Sequence, residues 1–451
     1  MTGLFMALID VTIVNIALPT LQRELHAGVS TVSWVLNAYN LVFAVVLISM
    51  GRLADQFGRK RFFLIGLGLF TLGSLLCGIA GSIDQLIAFR LIQGLGAGVL
   101  APLALALTTL IFPPEQRGLG IALLAVIANA AATIGPPLGG VLLEYANWHW
   151  IFLVNVPIGI AGIVMATRVM PETYDLTAGR KVDAIGMVLI GAAVFCLTYA
   201  LVEGNGSGWG SAKIVGLFAA SAVLAAGFAV SQRYGRFPML TLGLVRNRQF
   251  MGANTAFLLF GVGVMGQLFM LVMMFQNLWH YSQLKAAFAI APVALLGLIV
   301  APIAGRFADR LQPRQLGVPA LLCMSGGLVW LSAAPAHPHY LQVLGALILT
   351  GAGMGAAFPA INVGAMGSVS GQELGLGSGI VNMSRQLGFA IGVALLVAVF
   401  EAHSLVSPDT VRDAFGAAFR VAALSTLLAI PFALLMRRSP ADAHAAAAAG
   451  G

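Results

Sequence analysis

Charge is what this sequence has least of. Of its 451 residues only 9% are Asp, Glu, Lys or Arg, against roughly 25% in an ordinary soluble domain. Meanwhile 59% are hydrophobic and the mean hydropathy is +0.94. A chain so depleted in charge must be solvated by lipid. No Gly-Lys dipeptide occurs, which excludes a P-loop and the ATP-driven pumps that use one. No two acidic residues are adjacent, and His337 and His339 fall in an expected outer loop. The clustered carboxylates or His-metal pair of a membrane-embedded hydrolase or transferase are therefore missing. The three cysteines, Cys77, Cys196 and Cys323, lie inside apolar runs and read as small core residues. No disulfide, metal or cofactor is expected.

What is present is a series of apolar runs. A bilayer span needs about 20 such residues. Fourteen runs qualify, near 2–20, 34–53, 62–81, 84–107, 118–143, 149–167, 183–202, 212–230, 250–275, 284–304, 315–334, 339–361, 377–400 and 416–436. The loops between them are short, the longest about 20 residues near 231–249, so function must lie within or between the helices. An even number of spans leaves both ends on one side. Of the 24 Lys and Arg, 17 fall in loops on that side and five on the other, while Arg90 and Arg385 lie inside spans. By the positive-inside rule both termini are cytoplasmic. The net charge of +8 follows from that topology and does not argue for nucleic acid. The first run lacks a basic n-region and contains Asp10 and Asn15, which predicts a retained span, with a few preceding cytoplasmic residues missing. The tail HAAAAAGG is predicted to be disordered.

One polar loop occurs twice. GRLADQFGRKR at 51–61 is echoed by GRFADRLQPR at 305–314, with Gly, Arg, Leu or Phe, Ala and Asp in the same order. The copies follow spans two and ten. A simple duplication of six-helix halves would put them six spans apart, so two spans, most economically seven and eight, were inserted. The predicted organisation is a six-helix bundle over 1–168, two inserted spans with their loops over 169–249, a second six-helix bundle over 250–436 and a cytoplasmic tail over 437–451. Gly58 permits a tight turn in the first copy. Asp55 beside Arg59, Lys60 and Arg61 offers a breakable surface ion pair, worth about 0 to 1 kcal/mol.

Polar residues inside spans point to function. Asp10, in LIDVTIVNIALP at 8–19, lies mid-span, where a carboxylate costs about 3 kcal/mol on insertion scales. Desolvation disfavours its charged form, so it can take and release a proton at physiological pH. The competing reading is an Asp held charged by Arg90 or capped by Thr12 and Asn15. Arg90, in LIAFRLIQGLGAG at 86–98, has no acidic residue one turn away on its own helix. Its partner is either Asp10 or a backbone carbonyl, or its head snorkels. In AATIGPPLGG at 131–140, Pro136 and Pro137 remove backbone bonds while Gly135, Gly139 and Gly140 clear a flat strip for close helix contact. GLGAG at 94–98 and TGAGMGAAFP at 350–359 suit the same packing role. Candidate cavity residues are Asn15, Asn37, Tyr39, Asn40, Gln267, Asn382 and Arg385, beside a span nine rich in Met and Phe. Arg385 can hold an anionic substrate, bind a carbonyl or snorkel.

Taken together, these motifs resemble the major facilitator superfamily, and within it the 14-span drug:proton antiporter branch. GRLADQFGRKR resembles the loop between spans two and three, LIAFRLIQGLGAG the span-four arginine motif, and AATIGPPLGG the span-five antiporter motif. LIDVTIVNIALP and WHWIFLVNVPIG at 148–159 resemble segments of the branch, although Trp148-His149-Trp150 stands where the family usually has Trp-Arg-Trp. The resemblance runs from about residue 4 to 436. It implies an all-α polytopic fold of two six-helix bundles plus two inserted helices, working by rocker-switch alternating access. It also implies proton coupling by Asp10 and Arg90, gating by Gly51, Asp55, Gly58 and Arg59 with Asp309 and Arg310 in the echo, and a kink at Gly135 to Gly140 that favours antiport. The expected activity is proton-coupled export of small amphipathic compounds by a monomer in the cytoplasmic membrane. A proton-coupled transporter of one metabolite, outward or inward, is the alternative; a sensor that moves nothing is a further one.

Overall fold

The computed structural model describes residues 2–111, 117–174, 183–235, 242–308, 311–369, 374–404 and 411–436. Among them every regular element is a helix. In chain order these are α1 (Thr2–Glu24), α2 (Val29–Phe57), α3 (Arg59–Gly78), α4 (Ile83–Ile111), α5 (Arg117–Tyr145) and α6 (His149–Val169, broken at Val154). Next come α7 (Ala184–Ser207), α8 (Ala212–Tyr234) and a short helix over Leu242–Arg246. After them, α9 (Arg248–Met273) runs on into a π-helical turn at Met274–Leu278. The chain continues with α10 (Gln283–Ala308), α11 (Pro313–Leu331), α12 (Tyr340–Met366), α13 (Leu374–Ser404) and α14 (Val411–Leu428), whose last turn is Ile430–Ala433.

The fourteen long helices correspond one for one to the fourteen predicted spans. Twelve are long and apolar enough to cross a membrane among the described residues. The other two are α5, part of which lies outside the residues whose side chains are described, and α11, which carries Arg314 and Gln315 in its first turn. Helices are what lipid demands, because every backbone N–H and C=O must be bonded within the segment. At 1.5 Å per residue, about 20 residues cover a hydrocarbon core of about 30 Å.

The chain forms two compact units, the first comprising Met1–Met239 with Phe275–Phe288, the second Leu240–Met274 with Ala289–Gly451. Within the first, α1 packs on α5, α2 and α3 on α4, and α7 on both α8 and α2. Within the second, α9 and α14 pack on α13, and α11 on α12. The duplication shows as a shared glycine triplet. A Cβ on Gly94 would lie 2.7 Å from the Tyr39 carbonyl oxygen, and one on Gly351 2.6 Å from that of Val293. Two residues on, Gly96 faces the backbone of α3 at Phe70, and Gly353 faces that of α11 at Met324. Four on, Gly98 and Gly355 face α2 and α10. Each unit thus uses alternate glycines on one helix to seat two neighbours.

Helix ends are held by side chains. Asp183 accepts from the Gly186 amide at 2.7 Å and from Gln232 Nε2 at 2.6 Å, which ties α7 to α8. Asn247 caps α9 by accepting from the Gln249 and Phe250 amides. Gly58 alone separates α2 from α3, at φ +112°, a backbone conformation glycine adopts without steric cost. A Cβ there would also meet the Glu172 carboxyl carbon at 2.8 Å. Glu172 accepts from the backbone amides of Lys60 (2.9 Å) and Arg61 (3.2 Å), and the Arg59 amide donates to the Thr173 carbonyl at 3.0 Å. An anion therefore sits on the N-terminus of α3, where unbonded amides and the helix dipole favour one. Glu172→Ala should cost about 1 kcal/mol locally. Amide exchange at Lys60 and Arg61 should then quicken about fivefold in mass spectrometry; unchanged protection would mean that water replaces the carboxylate without loss.

Candidate functional site

The polar centre of the first unit is assembled from five helices around Arg90. Its position on α4 is set by the glycines that follow: Gly94 lets α2 approach until the Tyr39 ring lies 4.2 Å from the guanidinium carbon. Phe152 of α6 stands at 5.8 Å. The Tyr39 hydroxyl donates to the Ala7 carbonyl of α1 at 2.9 Å, which brings α1 and its Asp10 alongside. Asp10, Arg90 and Gln93 are all 0% exposed.

Arg90 uses both of the partners open to it from sequence. Its Nε donates to the Val35 carbonyl at 2.9 Å, and its Nη1 donates to Asp10 Oδ2 and, at 2.6 Å, to Gln93 Oε1. Gln93 lies three residues on, hence on the same helix face. Its Nε2 donates to Asp10 Oδ1 at 2.8 Å and to Ser74 Oγ at 2.8 Å, and Ser74 also accepts from Asn155 Nδ2 at 3.2 Å. Gln93 therefore bridges acid and base. Arg90 Nη2 is buried with no acceptor.

Chemically, such a pair can exist in two charge states. A buried ion pair stands because each charge compensates the other, and removing one partner typically costs about 3 to 5 kcal/mol. Protonation of Asp10 removes one partner chemically. The guanidinium, at 0% exposure, would then be uncompensated. Four residues before the second unit's triplet, where Arg90 stands before Gly94 in the first, the chain carries Leu347.

Two glycines of α5, Gly135 and Gly139, face α1. A Cβ on Gly135 would approach Thr12 Cβ at 2.9 Å and the Ile13 amide nitrogen at 3.3 Å; one on Gly139 would lie 3.0 Å from Ile13 Cγ1. Gly140 faces Leu284 and Ala287 of the same unit. Helix α5 continues through Pro136 and Pro137, and Thr12 Oγ1 donates to the Ala131 carbonyl at 3.3 Å across the contact. Gly135→Ala should lower stability by about 1 to 3 kcal/mol through overpacking. Adding Thr12→Ala should restore part of it in a thermal melt in detergent, because the clashing group is that side chain; additive losses would place the strain elsewhere.

The remaining candidates are dispersed. Asn15 Nδ2 donates to the Val11 carbonyl at 2.6 Å. Asn37 and Asn40 are buried on α2, and neither amide has a hydrogen-bond partner. In the second unit Gln267 donates to Thr350 Oγ1 at 3.1 Å, tying α9 to α12, and Asn382 and Arg385 bond to each other on α13. His149, in place of the family arginine, puts Nδ1 3.0 Å from the Gly78 carbonyl and stacks on Trp148. Gly51 and Asp55 lie in α2, the side chain of Asp55 outside what is described; Asp309, Arg310 and the tail lie outside the described residues. Arg59 opens α3. Sequence reasoning missed Gln93, Ser74 and Glu172, although the spacing of Gln93 from Arg90 was a usable signal.

A model of the Major Facilitator Superfamily matches residues 1–393. An uncharacterised MFS-type transporter of Mycobacterium tuberculosis is 32% identical over 97% of this chain and 76% of its own length. The tetracenomycin C resistance and export protein of Streptomyces glaucescens is 28% identical over 87% and 73%. The puromycin resistance protein of Streptomyces alboniger is 35% identical over 87% and 78%. A crystal structure of a peptide transporter has the same fold at 19% identity, with a TM-score of 0.66 over 97% of this chain and 95% of that one. With the family model covering most of the sequence and fourteen long helices in place, this chain belongs to the major facilitator superfamily, in its drug-resistance branch.

Proposed function

We propose that this protein is a proton-coupled antiporter that exports small amphipathic compounds across the bacterial cytoplasmic membrane, by alternating access and as a single chain with both termini in the cytoplasm. The observation that carries the reading is the buried pair of Asp10 and Arg90 bridged by Gln93, one titratable carboxylate held where its charge state decides the packing. Relatives named for antibiotic resistance, one of them also for export, support the outward direction. In this scheme the bundles over 1–168 and 250–436 carry the cycle, and 169–249 is an insertion. Gly51, Asp55, Gly58 and Arg59, with Asp309 and Arg310 in the echo, form the gate, and Gly135 and Gly139 keep α5 against α1.

Energised everted vesicles test this directly. Their lumen is acid, so a carried compound entering from outside must let protons out. Adding an aromatic dye should restore the fluorescence of a quenched pH probe, and vesicles without the protein should show no recovery. If cationic, neutral and anionic dyes all fail to release protons, the antiporter reading is wrong.

A further inference from the structure

Arg385 is a cation inside an apolar helix, and no anion among the described residues is paired with it. Ion pairs elsewhere join Asp10 with Arg90 and Arg412 with Asp413. Arg385 lies eleven residues into α13 from Leu374, about 16 Å along the axis. The acidic residue on the same helix, Glu401, is a further sixteen residues on, about 24 Å away.

Its surroundings hold the guanidinium in place without neutralising it. Nη2 donates to Asn382 Oδ1 at 2.9 Å, and Asn382 is itself fixed by donating to the Ser378 carbonyl at 3.0 Å. Nε is buried with no acceptor. The Phe358 ring of α12 lies 5.4 Å from the guanidinium carbon and Phe389 lies 6.0 Å from it. Phe257 of α9 stands edge-on to Phe358 at 5.5 Å, and Gly261 of α9 brings that helix against the Arg385 carbonyl. A planar cation with donors to spare, walled by aromatic faces, matches a planar acid on an aromatic body.

We propose that Arg385, steadied by Asn382 and framed by Phe358 and Phe389, receives the acidic group of the cargo, so that the compounds carried include aromatic organic anions such as carboxylates, sulfonates or phenolates. This rests on the reading of the chain as an exporter of amphipathic compounds and gives that cargo a charge. Asp10, the carboxylate that would attract a cation, is already occupied by Arg90 and Gln93.

Two dyes that share a xanthene core separate the possibilities: fluorescein, an anion, and rhodamine 6G, a cation. Binding to purified full-length protein is read by fluorescence polarisation. Arg385→Gln should weaken fluorescein about ten- to a hundredfold and leave rhodamine 6G unchanged or tighter, which also shows that the variant is folded. Arg385→Lys should recover only part, because a point charge cannot reproduce the planar fork. Wild-type protein that binds fluorescein no better than Arg385→Gln, including by not binding it at all, overturns the assignment. The transport reading fails separately: if fluorescein binds through Arg385 yet no dye of any charge releases protons from everted vesicles, the site stands and the antiport does not.

Discussion

Asp10→Asn is expected to reduce proton-coupled flux to the level of protein-free liposomes while the protein still folds. Asparagine has the same shape and keeps an oxygen to accept from Arg90, but it has no proton to exchange. Its cost in stability comes from Arg90, left charged at 0% exposure, and should be about 3 to 5 kcal/mol. Arg90→Gln in the same chain removes the stranded charge, so the double variant should melt closer to wild type in detergent. Its transport should stay at background. Stability returning without flux is what separates a coupling residue from a structural one. If Asp10→Asn retains wild-type flux under a pH gradient, the coupling site is elsewhere.

Membrane potential should act on transport more strongly the less positive the cargo. With one proton entering at Asp10 for each compound leaving, a monocation carries its charge out as the proton carries one in, and the cycle is electroneutral. A neutral compound leaves one net charge moving inward, worth about 2.3 kcal/mol per 100 mV, or about fiftyfold in the limiting gradient. A monoanion moves two, worth about 4.6 kcal/mol, or about two-thousandfold. The check is proteoliposomes at a fixed pH gradient with a valinomycin-imposed potassium potential, comparing dyes of the three charges. A cation that responds to potential would require a second proton per cycle. Equal responses from neutral and anionic dyes would mean that another ion travels with the anion. Cargo held by Arg385 would therefore make the strongest use of the potential.

Much of this was legible in the sequence, for a simple reason. Charges are so scarce here that Asp10, Arg90 and Arg385 stand out against the apolar runs, and the number of runs gives the number of helices. What the sequence could not supply was partnership. Every residue has a carbonyl, so nothing marked Val35 as the acceptor for Arg90. Gln93, Ser74 and Asn155 are uncharged and do not stand out in a hydropathy profile, yet they bind Asp10 and Arg90 into one network. Glu172 lies 112 residues from the amide of Lys60 that it caps, in a connector with no distinguishing composition. Tyr39 and Gln267, read as cavity lining, spend their polar atoms on Ala7 and Thr350. The glycine clusters were visible as clusters, but only three dimensions showed that alternate members seat different helices.

Helix α8 differs from all of this. Only 6% of its apolar window is buried, against 83% for α9. Away from its contact with α7, its side chains face lipid, and lipid does not distinguish leucine from valine. The evolutionary and experimental record of such a helix should be one of free exchange among most apolar residues, with restriction confined to buried Ile214, to Ser221, which donates to the Ala193 carbonyl, and to the last turn, where Gln232 meets Asp183. In α9 the same exchanges would each disturb a neighbour. A saturation library would draw the inner and outer walls of this protein without any coordinates, as the difference between a silent helix and one in which nearly every letter counts.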